Sequence, residues 1–312
     1  MPTDRDNAPK RYHFIQADVF TDTPFGGNQL AVFTDARGLT TEEMQTLTRE
    51  MNYSESTFVL PPEIPGAVKR VRIFTPAMEL PVAGHPTVGT TFVLAQRGEI
   101  ALADDVTEAV LQLNIGPVKV TIEKKNGGAG FVWMTHREPV FGEIRADRDR
   151  VAQAIGVAPD DLVPGLPLQI VSTGLPFLYV PLCSLEAARR CRANPAALRE
   201  LFTGDPVMVY MFTTETTTPN THLHSRMFAP HVADIPEDPA TGAAAGPMGA
   251  YAARYQVLPR SPEMRFVIEQ GLEMGRPSRI HVEVKTEGEA IIGIRIGGRA
   301  VIVGEGEIFW EG

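Results

Sequence analysis

One stretch of this chain occurs twice. Arg72-Ile73-Phe74-Thr75-Pro76 leads through a loop to His85-Pro86-Thr87-Val88-Gly89, and Arg226-Met227-Phe228-Ala229-Pro230 leads through a loop to Asp238-Pro239-Ala240-Thr241-Gly242. Both copies read R-x-F-x-P, a loop, then [H/D]-P-x-x-G opening a helix rich in Ala and Thr. Because strand, loop, motif and helix recur together, the chain is expected to fold as two similar halves. The expected halves are 11–126 and 127–298, with a C-terminal strand at about 299–312 completing the first.

The segments around the repeat fit a strand-rich α+β chain. Tyr12–Phe20 alternates and is rich in β formers, and Gln29–Phe33 follows the turn at Thr23–Asn28. Thr40 or Thr41 caps an amphipathic helix to about Met51, with Glu42 and Glu43 in its first turn, where the helix dipole favours them. Strands are expected at Ser56–Leu60, Val68–Phe74, Val110–Leu113, Val118–Glu123 and Phe131–Met134. In the second half they are expected at Gln169–Ser172, Phe177–Val180 and Val207–Thr213, with helices at Arg148–Ile155 and Leu185–Arg192. The tail, from Arg265 to Val303, alternates as antiparallel strands.

A helix that opens on small residues offers free backbone N–H groups and the positive end of its dipole, which suits an anion. Gly89 and Gly242 are read as permitting close backbone approach, so two such helix starts can face one another across the cleft between the halves. That arrangement lets a chain of formal net charge -9 hold a small carboxylate. His85 and Asp238 are read as equivalent residues just before a helix start. An Asp there is an ordinary cap, whereas His is a poor one and points to a site role.

Three segments carry a family resemblance: Asn52–Val59 (NYSESTFV), Glu79–Thr90 (ELPVAGHPTVGT) and Glu237–Ala244 (EDPATGAA). The opening Asp18-Val19-Phe20 with Gly26-Gly27-Asn28 also fits. Together they resemble the signature stretches of the phenazine-biosynthesis PhzF-like proteins, over a region from about Tyr12 to the C-terminus. The resemblance implies a diaminopimelate-epimerase-like fold, in which each half is a β-barrel-like sheet around a central helix and the active site lies between them. It also implies a cofactor-independent, metal-free isomerase, commonly a homodimer. Glu55 would be its general acid/base, with Gly84, His85, Asp238 and Gly242 around the substrate. Asn28, Thr87, Gly89, Thr241 and Ala243 complete the implied substrate-binding set. The family's named reaction is isomerisation of trans-2,3-dihydro-3-hydroxyanthranilate, in which a proton moves between ring carbons. Ala243 departs from the family, many members of which have Ser there.

Rival functions leave different marks. A two-thiol racemase on this fold places a cysteine at each helix start, but the cysteines here are Cys183 and Cys191, far from both. His222, His224, His231 and Asp234 are close enough in sequence to suggest a zinc site, although Ser225–Phe228 reads as a strand entering the repeat. A binding protein on an enzyme fold remains an alternative, since fold does not dictate function. With no cluster of Lys or Arg, a nucleic-acid surface is not expected, and no apolar run reaches the length of a membrane span. The polar start is read as a lead-in of about ten residues and the cytoplasm as the default compartment.

Overall fold

The computed structural model describes residues 10–203 and 205–310; most of the lead-in lies outside them. Among the described residues the strands form one continuous sheet of 18 that wraps twice, once around each of two central helices. The first wrap holds β1 (Lys10–Val19), β2 (Asn28–Phe33), α1 (Thr41–Met51), β3 (Glu55–Leu60), β4 (Lys69–Phe74) and the two-residue β5 (Glu79–Leu80). It continues through the central helix α2 (Gly84–Gln96) to β6 (Val106–Leu113), β7 (Gly116–Lys125) and β8 (Gly128–Thr135).

The second wrap repeats this plan. It holds β9 (Val140–Arg145), α3 (Arg148–Ile155), β10 (Leu168–Ser172), β11 (Pro176–Pro181), α4 (Leu185–Arg190), α5 (Pro195–Leu201) and β12 (Met208–Thr213). Next come β13 (Leu223–Ala229), β14 (Ile235–Asp238), the central helix α6 (Gly242–Tyr255), β15 (Glu263–Gln270), β16 (Ser278–Glu287) and β17 (Ala290–Gly298). The last strand, β18 (Ala300–Trp310), leaves the second wrap and pairs antiparallel with β1.

Pairing shows the duplication directly. β2 and β3 run parallel, as do β11 and β12, and each parallel pair needs a helical crossover: α1 in one wrap, α4 and α5 in the other. Val120 pairs with Met134 and Val282 with Ile296, while Met134 pairs with Ile296 across the β8–β17 seam. An approximate twofold axis therefore passes through that seam.

The helices differ as their sequences require. α1 is amphipathic, burying Met44, Leu47 and Thr48, and opens on a capping box of Thr40 and Glu43. α2 and α6 have almost no polar face; α2 is buried from Gly84 through Ala95. A helix apolar all round is stable only inside, and here the sheet surrounds it.

The structure changes the register of the repeat. Glu79 and Glu237 each receive a two-pronged bond from the preceding arginine: Arg72 through Nε and Nη2 at 2.7 and 2.6 Å, and Arg226 through the same atoms at 2.7 and 2.8 Å. Both helices then begin at the glycine of Glu-x-Pro-x-x-Gly, so Gly84 matches Gly242 and Leu80 matches Asp238. His85 and Asp238 are thus not equivalent, and neither is an N-cap. Ala83 and Thr241 hold those positions, His85 is the second residue of its helix, and Asp238 ends a strand.

Candidate functional site

The two helix starts meet. A Cβ on Gly84 would fall inside contact distance of the Gly242 backbone, and one on Gly242 would lie 3.0 Å from the Gly84 Cα. Only glycine allows this approach, which brings the N-terminal N–H groups of both helices to one place. Beside them lies a cavity of about 310 Å³, lined in part by Glu55, Gly84, His85, Asp238, Thr241, Gly242 and Ala243. Wider hollows lie on the surface beside Phe25 and beside Arg254, but no buried carboxyl group lines either.

Glu55 opens β3, two residues after the chain leaves the turn that ends α1. It is 8% exposed, and its Oε2 has no hydrogen-bond partner among the described residues. Burial and the nearby Asp238 push its carboxyl well above the ordinary carboxylate range. Asp238 is also raised, chiefly by burial, although Thr241 Oγ1 donates to its Oδ2 at 2.6 Å and Asn28 Nδ2 to its Oδ1 at 2.8 Å.

His85 Nδ1 lies 3.0 Å from Asn28 Nδ2 and 3.5 Å from Glu55 Oε2. The Ser54 hydroxyl donates to Asn28 Oδ1 at 2.9 Å, so the Asn28 amide NH₂ faces His85 and Asp238. Asn28 Nδ2 also meets the Ala240 carbonyl at 3.0 Å, so its two N–H groups face three neighbours, and His85 Nε2 has no hydrogen-bond partner among the described residues. Burial holds its pKa down to about 3, so His85 is neutral across the neutral range.

Not every expected site residue lines the cavity. Asn28 stands behind it, holding His85 and Asp238 in place. Thr87 turns its hydroxyl back to the Ala83 carbonyl at 2.6 Å, and Gly89 faces Val19 and Leu30 in the core; neither lines the cavity. Ser54 and Gln270 join the site without having been singled out in the sequence. Ser54 adjoins Glu55 and could have been noticed. Gln270 donates to the Asp238 carbonyl at 2.7 Å and accepts from Thr241 N at 3.1 Å, a contact that no local pattern signals.

The histidines that suggested a zinc site are engaged separately. His224 lies between Glu269 and Glu273 at 3.0 and 3.1 Å, His222 Nδ1 accepts from Val267 N, and His231 Nε2 meets the Val207 carbonyl. No group of three or more His, Cys, Asp or Glu among the described residues is placed to hold a metal ion. Cys183 is exposed and Cys191 buried in the second half's outer core, where α4 ends one residue before it; neither lines the cavity. No helix among the described residues is long and apolar enough to cross a membrane.

The family model described as phenazine biosynthesis-like protein (PhzC-PhzF) matches residues 17–306. The chain belongs to this family. An uncharacterized isomerase of Mesorhizobium japonicum is 38% identical over 95% of this chain and 98% of its own length. The trans-2,3-dihydro-3-hydroxyanthranilate isomerase of Pseudomonas aeruginosa is 32% identical over 96% of this chain and 99% of its own. A solved PhzF-family structure from Bacillus anthracis superposes with a TM-score of 0.85 at 33% identity, covering 96% of this chain and 99% of that one. A hydroxyproline epimerase from Agrobacterium vitis shares the fold at a TM-score of 0.67 and 12% identity. The chain is a PhzF-family isomerase with the diaminopimelate-epimerase-like fold.

A stability prediction follows from Glu55. Its pKa in the folded state is above the ordinary 4.5, so between those two values the folded chain holds more protons than the unfolded one. The stability Glu55 contributes is full below 4.5 and is lost as pH rises through the folded pKa. Glu55→Gln, which cannot ionise, should therefore raise Tm relative to the parent, by more at about pH 8 than at about pH 5. Differential scanning calorimetry at the two pH values checks this, and a pH-independent difference would argue against a raised carboxyl.

Proposed function

We propose that this PhzF-family isomerase moves a proton between two carbons of a small, cyclic carboxylic acid, with Glu55 as the acid/base. The observation carrying the reading is a buried Glu55 on the wall of the cavity, beside two abutting helix starts. The substrate carboxylate sits against the N–H groups at Gly84 and Gly242, where helix dipoles favour negative charge without a cationic side chain. Ionised Glu55 takes a proton from one carbon; the electron pair shifts through the adjacent double bond, and the same carboxyl returns the proton to a second carbon. Nothing is oxidised and no atom is gained or lost. A carboxyl raised toward neutrality is matched to both halves of that transfer. Neutral His85, on the cavity wall beside Glu55, offers a ring N–H as a hydrogen-bond donor to charge developing on the substrate, and Asn28, itself bonded to Asp238, positions it.

The relative from P. aeruginosa, named a trans-2,3-dihydro-3-hydroxyanthranilate isomerase, supports the reaction class rather than that substrate for this chain. The test is incorporation of solvent deuterium, read by mass, into a panel of cyclic unsaturated carboxylic acids. Exchange or isomerisation of at least one is expected. Binding without exchange across the panel would overturn the reading in favour of a binding protein. The reading also includes a homodimer: light scattering should give a mass of about twice 34.0 kDa, and a mass of 34.0 kDa would overturn that part.

A further inference from the structure

We infer that the part of the substrate away from its carboxylate is uncharged hydrocarbon, making the substrate a small monocarboxylate with an apolar ring or branched body. This rests on the proposed proton-transfer reading. Its basis is the apolar share of the cavity wall, which includes Leu80, Leu175, Phe177, Met208, Met227 and Ile235. Two further polar residues on the cavity wall are already satisfied by the protein. The Thr75 hydroxyl donates to the Met78 carbonyl and accepts from the N–H groups of Ala77 and Met78. The Glu79 carboxylate takes both prongs of Arg72 and a third bond from Asn114 Nδ2 at 2.7 Å.

No Lys or Arg among the described residues lines the cavity, so a second carboxylate would meet no cation there. A ring hydroxyl or ammonium resting against these side chains, away from Glu55 and Asp238, would leave water for a surface of thioether, aliphatic and aromatic carbon. An unmet polar group in such a place is penalised, and a charged one more so. Ala243, at the start of α6, adds a further methyl group and no hydroxyl to the cavity wall.

The experiment compares cyclohex-2-ene-1-carboxylate, its 4-hydroxy derivative and a cyclohexene dicarboxylate, by calorimetric binding and by solvent-deuterium incorporation. Moving a proton from C1 to C3 of the first, with the double bond shifting to C1–C2, gives cyclohex-1-ene-1-carboxylate. The hydrocarbon acid should bind about 10- to 100-fold more tightly than the hydroxy acid, and the dicarboxylate should be weaker by about 100-fold or more. Leu80→Gln, which adds one amide to the wall, should narrow the gap between the first two; a purely structural role for Leu80 would shift both together. Equal or tighter binding of the polar acids, or no binding of the hydrocarbon acid at millimolar concentration, would overturn the inference. Preferential binding of the hydrocarbon acid without exchange would sink the proton-transfer reading and leave the inference standing. Equal exchange into the hydroxy acid would do the reverse.

Discussion

Glu55→Gln should slow solvent-deuterium incorporation by about 10²- to 10⁴-fold, the span a positioned general acid/base commonly contributes. Gln keeps the size of the side chain and resembles the neutral carboxyl that burial and Asp238 favour. Ligand binding should therefore survive, and the loss should fall on turnover rather than on affinity. The parent enzyme should also gain activity as pH rises through the raised Glu55 pKa, because only the ionised carboxyl can accept a proton from carbon. A variant that exchanges deuterium at the parental rate would remove Glu55 from the chemistry and leave Asp238, the other buried carboxyl on the cavity wall, as the candidate.

Gly84→Ala should damage stability and activity together. The new methyl would meet the backbone of Gly242 and Ala243, which cannot swing aside as a long side chain can. Overpacking of this kind costs about 1–3 kcal/mol, which for a chain of this size lowers Tm by roughly 2–5 °C. To relieve the clash the two helix starts must separate, which disperses the N–H groups proposed to hold the carboxylate, so exchange should fall as well. Gly293→Ala is the control, since its Cβ would find only Lys285 Cβ at an ordinary 3.9 Å. That substitution should stay within about 0.5 kcal/mol of the parent. Equal Tm for the two variants would show that the close approach of the helices contributes little.

Much of the candidate site was legible along the chain because its residues lie in short local motifs. Glu55 lies just past the turn that ends α1, while Gly84 and His85 share one helix start and Asp238, Thr241, Gly242 and Ala243 surround the other. The capping box of α1 and the apolar runs of the two central helices were equally local. Less visible were β5, β9 and β14 and the helix α5, none of which was expected from the sequence. β5 has two residues and β14 four, too few to show a period of two, and each exists because β4 or β13 supplies a partner. The helix at Leu185 also ends earlier than its composition suggests, at Arg190, before the buried Cys191.

By itself, then, the sequence determined that the chain is duplicated, that apolar helices occupy the centre of each half, and which carboxyl, imidazole and glycine residues are candidates for the site. These follow from patterns that neighbouring residues carry. The tertiary structure alone decided the register of the duplication, because Arg72–Glu79 and Arg226–Glu237 match only once both hairpins are formed. It also decided that Gly89 and Thr87 serve the helix and the core rather than the cavity, and that Ser54, Asn28 and Gln270 orient His85 and Asp238. The apolar wall belongs to the same class: Leu80, Leu175 and Met227 come from separate strands and loops, and only the closed fold sets them around one cavity.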